Sequence, residues 1–81
     1  MARDIDYAAI AVNKSITDKF FKDDLSELHV AAGDKTIAIR HGGRVAEGTR
    51  DDLLAAIRKA ATFAELWDVL ESEGRIRSRA R

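Results

Sequence analysis

The run Arg40-His41-Gly42-Gly43-Arg44 gathers the groups in this sequence best suited to holding an anion. Its arginines offer forked, permanently charged donors, its histidine offers a donor that switches near neutral pH, and its glycines let backbone N–H groups approach a ligand closely. That set suits a phosphate or carboxylate contact. The same glycines, lying between two strand-like runs and outside any strand-to-helix nucleotide loop, also read as a plain hairpin tip. His29 is the other histidine, and with His41, Asp23, Asp24 and Glu27 it completes the donors a metal could use. The histidines have neither helical nor fixed-loop ligand spacing, so neither a metal site nor a cofactor is expected. Among the serines Ser15, Ser26, Ser72 and Ser78, none sits in a strained nucleophile elbow. Ser26, three residues before His29, stands where a turn uses its hydroxyl locally. With no cysteine there is no thiolate chemistry and no disulfide. The chain is therefore expected to be non-catalytic, with a small enzyme or metal protein built on the histidines as the most remote reading.

The second cluster of charge is C-terminal. Arg75, Arg77, Arg79 and Arg81 hold four of the 14 basic residues and stand among no acids, so the rest of the chain is net negative although the whole has a formal charge of +0. Such a tail can neutralise phosphates, and with Arg40 and Arg44 it supports an alternative reading as a nucleic-acid-binding protein. No aromatic residues interleave with the arginines to stack on bases, and an acidic body opposes a polyanion.

The elements that must position these residues follow from periodicity. Ile5, Ala8, Ala9, Val12, Ile16 and Phe20 fall at steps of three and four, which predicts an amphipathic N-terminal helix capped by Asp4 or Asp6. Leu28, Val30 and Ala32, then Ile37 and Ile39, alternate with more polar positions and predict two antiparallel strands. A two-residue turn at Gly33 and Asp34 would set Val30 opposite Ile37, Leu28 opposite Ile39 and Glu27 opposite Arg40. Arg44 to Glu47 reads as a third, edge strand, and a three-residue turn would place Val45 beside Ile39. Thr49 and Thr62 each open a capping-box-like segment, T-R-D-D and T-F-A-E, which predicts two short helices meeting at an angle rather than one rod. Gly74 stops the second.

The predicted fold is α+β: an N-terminal helix, an antiparallel hairpin or three-stranded meander, then two short helices packed on one sheet face. Residues 1–74 form the compact domain, and Arg75 to Arg81 form a basic, disordered tail. At 81 residues and 46% apolar composition the chain has enough for one core and little to spare, so a homo-oligomer is one route to added stability. No stretch reaches the length of a membrane helix and the first residues lack a signal-peptide pattern, so a cytoplasmic protein is expected.

Taken together, these features favour a protein-binding module acting as a regulator, adaptor or inhibitor of a larger complex. In size and style the chain resembles the small accessory proteins of bacteria and their phages. The expected partner surface is the helix-free sheet face with the turn, comprising Arg40, His41, Gly42, Gly43, Arg44 and His29.

Overall fold

In the computed structural model, which describes residues 3–78, the chain runs α1 (Asp4–Lys19), β1 (His29–Ala32), β2 (Ile37–His41), β3 (Arg44–Gly48), α2 (Arg50–Lys59), α3 (Phe63–Ser72) and β4 (Ile76–Ser78). The strands make one antiparallel sheet in the order β1-β2-β3-β4. All three helices share one core with the sheet. The α+β arrangement is the predicted one, with a fourth strand in addition.

The apolar stripe of α1 is its packed face: Val12 and Ile16 are fully buried, and Ala9 and Phe20 nearly so. Neither Asp4 nor Asp6 is the cap. Arg3 holds that position, and its backbone N–H donates to Asp6 Oδ2 at 2.8 Å, so the aspartate acts from the third helical residue. This bond, with the Arg3 guanidinium, holds the Asp6 carboxyl below its ordinary pKa. At the other end Lys19 donates to the Ile57 and Arg58 carbonyls at 2.7 and 3.2 Å. A cation thereby satisfies the end of α2 and ties it to α1.

The hairpins keep the predicted faces in part. β1 and β2 are joined by a four-residue loop, with Gly33 N–H donating to Thr36 O at 2.8 Å, so Val30 faces Ile39 and His29 faces Arg40. The register is thus two residues from the predicted one. A shift of two preserves which side chains face the core, but it removes the Glu27–Arg40 pair, and Leu28 falls before the strand. At the second turn, Gly42 and Gly43 both have positive φ (54° and 83°), as a two-residue primed turn requires. His41 pairs with Arg44 and Ile39 with Ala46. Ala46, fully buried, therefore occupies the core position expected of Val45, which lies opposite Arg40 on the other face.

α2 and α3 begin where the sequence places them. Thr49 Oγ1 accepts from Asp52 N–H at 3.2 Å and Thr62 Oγ1 from Glu65 N–H at 3.1 Å. Gly74, with φ of 72°, ends the helical region, and Arg75 N–H donates back to Leu70 O at 2.8 Å. That turn sends the chain along β3. The expected disordered tail from Arg75 is thereby corrected: Ile76 pairs with Ala46 and packs half-buried against the core, and β4 covers the β3 edge. Arg79 to Arg81 lie outside the described residues.

No helix among the described residues is long and apolar enough to cross a membrane.

Candidate functional site

The register divides the predicted surface between two faces of the sheet. His29 and Arg40 are opposed on the helix-free face, together with Ala31, Ala38, Val45 and Glu47. Arg77 joins them and forms an ion pair with Glu47 at 3.6 Å. His41 and Arg44 are opposed on the other face and turn toward α3. Both arginines still border one shallow hollow of about 330 Å³ at the tip of the turn, lined by the whole Arg40–Arg44 run with Glu27 and Val45, so the predicted surface forms there without His29.

His41 and Arg44 instead border an open cleft of about 440 Å³ between three segments: the α1–β1 loop with Asp23 and Asp24, the β2–β3 turn, and the start of α3 with Thr62, Phe63, Ala64 and Trp67. Each segment is locally fixed. Asp23 Oδ2 accepts the Phe63 N–H at 3.0 Å, which anchors the loop to the first turn of α3. Asp24 Oδ1 accepts from the Ser26 hydroxyl at 2.6 Å and from its N–H at 3.0 Å. The hydroxyl bond first, then the backbone N–H, with the nearby His41 charge adding to them, holds the Asp24 carboxyl below its ordinary pKa. The loop contact is therefore intact above the usual aspartate range and is lost as pH falls through the lowered value. The Ser26 hydroxyl is committed to this turn.

The cleft wall is aromatic. Phe63 and Trp67 line it with ring centroids 6.1 Å apart, Phe20 backs Phe63 from the core at 6.0 Å, and His41 meets Phe63 edge-on at 4.9 Å. The Arg44 guanidinium carbon lies 5.7 Å from the Trp67 ring centroid, a cation–π distance. Trp67 is 4% exposed, and its indole N–H is buried with no acceptor among the described residues. Phe63 and Trp67 are core residues of α3, and Asp23 and Asp24, considered from the sequence only as metal donors, lie in the α1–β1 loop. The register of the second hairpin sets Arg44 beside them.

Among the described residues no group of three or more histidine, aspartate and glutamate side chains converges as a metal site would require. No protein-family model, curated protein or solved structure matches the chain.

Because Asp23 bridges the loop and α3, Asp23→Ala is expected to cost about 1–2 kcal/mol, the usual loss for a helix N-terminal acceptor. Thermal unfolding followed by circular dichroism measures it; an unchanged midpoint would mean that the cleft's loop wall is held by other contacts.

Proposed function

We propose that this chain is a non-catalytic protein-binding module, a regulator, adaptor or inhibitor of a larger protein or complex, and that it grips its partner at the Arg44 cleft. The observation that carries this reading is the state of Arg44. Its guanidinium lies over the Trp67 ring, has no ion-pair partner among the described residues, and borders an open cleft whose α3 wall is apolar. Arginine and tryptophan are among the residue types that dominate interface energies, and an arginine held over an aromatic ring has less side-chain freedom to lose on binding. A carboxylate from the partner, seated on Arg44 with an apolar neighbour against Phe63, Ala64 and Trp67, satisfies both components.

Two features separate Arg44 from the other arginines among the described residues. Arg3, Arg75 and Arg77 already pair with Asp6, Asp52 and Glu47. Arg40, whose strand position faces the helix-free side, and Arg50 and Arg58 on α2 are exposed without an aromatic platform among the described residues. The same pairs weaken the alternative nucleic-acid reading, since Arg75 and Arg77 are engaged within the fold and Arg79 and Arg81 lie outside the described residues. Capture of interacting molecules from the source cells by the immobilised protein, compared with capture by Arg44→Glu, tests the proposal. Recovery of one stoichiometric protein by the wild type alone supports it; nuclease-sensitive recovery that does not depend on Arg44 favours nucleic acid.

A further inference from the structure

A second surface lies at the opposite edge of the sheet. Among the described residues β1 is an outer strand with a neighbour on one side only. The Gly33–Thr36 hydrogen bond fixes the alternation of the β1–β2 ladder, so His29 and Ala31 bond to β2 while the N–H and C=O groups of Val30 and Ala32 point to the free edge. None of these outward groups meets a backbone partner in the rest of the described fold. Edge strands are commonly guarded by lysine, proline or a bulge, and β1, His-Val-Ala-Ala, has none of these. Beside it runs a groove of about 240 Å³ between α1 and β1, lined by Asp6, Ala9, Ile10, Asn13, Val30 and Ala32. Ile10 in that groove is 62% exposed, as is Tyr7 one turn earlier.

The geometry points to a second copy of this chain as the occupant of this edge, with β1 pairing antiparallel to its own symmetry mate about a two-fold axis through Ala31. Antiparallel neighbours must face the same side of the sheet, and a strand paired with itself about one of its own residues meets that requirement. An axis through Ala31 sets Val30 opposite Ala32 of the second copy, and these are the residues whose backbone groups are free. Each such pair exchanges both N–H···O bonds of a ladder rung. The sheet then continues through both molecules, with the helices of both on the same side.

The helix layer agrees with the strand register. Ile10 lines the groove with Val30 and Ala32, the two neighbours of Ala31, so the same axis brings Ile10 against Ile10 of the second copy and covers the exposed apolar surface there. Antiparallel α1 helices crossing at Ile10 place Asp6 of each copy, which accepts from its own Arg3, beside Lys14 of the other, whose positive charge adds to that of Arg3 on the carboxylate. A formal net charge of +0 leaves no global repulsion between copies. A foreign extended segment would gain the backbone bonds but not these matched Ile10 and Asp6–Lys14 contacts.

Sedimentation velocity on the full chain over a wide concentration range tests this, with two variants that leave the isolated fold intact. Ala32→Pro removes an N–H that β2 does not use, which an edge strand tolerates. Ile10→Glu changes an exposed helix position to a good helix former and places like charges at the axis. The wild type is expected to dimerise reversibly, and each variant to weaken the dimer by about tenfold or more while keeping the wild-type circular dichroism spectrum. A wild-type protein that is monomeric throughout, or a dimer that neither variant weakens, overturns the proposal. Because Arg44 lies outside this interface, Arg44→Glu should leave the dimer unchanged, so the result is independent of the function proposed for the cleft.

Discussion

Replacing Ile39 by aspartate is expected to abolish folding. Ile39 is fully buried between strands on the helix-covered face, and a carboxylate there would lose its hydration without gaining a partner. A chain of this length has a total stability of about 4–12 kcal/mol, and a buried, unpaired polar or charged group is one of the few single changes that costs a large part of it. The adjacent substitution Arg40→Asp is the control, because the next residue of a strand faces the other side and Arg40 is exposed. Thermal melts should show no cooperative transition for Ile39→Asp and a near-normal one for Arg40→Asp. Equal damage from both would mean that the helix-free face is also covered.

The second large effect concerns the C-terminus. Truncation after Gly74 is expected to cost about 2–4 kcal/mol, lowering the melting temperature by roughly 10 °C or more. Three contributions go together. Ile76 leaves its half-buried place on the core, and the hydrogen bond from Glu47 N–H to Arg75 O (2.9 Å) is lost with the rest of the β3–β4 ladder. The Arg75–Asp52 ion pair at 2.9 Å also disappears, though a half-exposed pair contributes little by itself. Arg75→Ala should therefore account for only a small part of the loss. The uncovered β3 edge should also promote association of the truncated chain. Melting within a degree or two of the full chain would show that β4 carries no stability.

The sequence carried different parts of this structure with unequal clarity, for physical reasons. The break between α2 and α3 was legible because Thr49 and Thr62 satisfy donors within their own first turns, a strictly local device. The packed face of α1 was legible from its 3.6-residue period. Hairpin register was less so, because Gly33-Asp34 fits a two-residue turn as readily as the start of the observed four-residue loop. The choice between Val45 and Ala46 as the inward residue was misread by favouring the larger apolar side chain over the turn geometry that two positive-φ glycines set. β4 left almost no signal, since its only large apolar residue is Ile76 and its ladder depends on β3, distant in sequence.

The candidate site shows the same pattern. Arg40 to Arg44 stood out as a run of chemistry, and the whole run does line a shallow hollow at the turn, yet a strand alternates its faces, so only His41, Gly42 and Arg44 border the cleft against α3. Phe63 and Trp67 looked like core residues because they are; what the sequence could not supply was the tertiary packing that leaves one ring face available to Arg44.

The proposed role of the cleft rests on Arg44 and is tested most directly by titration calorimetry of the captured partner against the wild type, Arg44→Glu and Arg40→Glu at two salt concentrations. If the partner places a carboxylate on Arg44, that reversal should weaken binding by about 2–3 kcal/mol or more, beyond the ~1 kcal/mol of a solvated rim charge, while the fold is retained. Arg40→Glu, on the other face and without an aromatic platform, should show at most the smaller effect. Equal, small losses from both substitutions, or an Arg44→Glu affinity and salt dependence identical to wild type, would contradict the proposal and leave the β2–β3 turn as a turn alone.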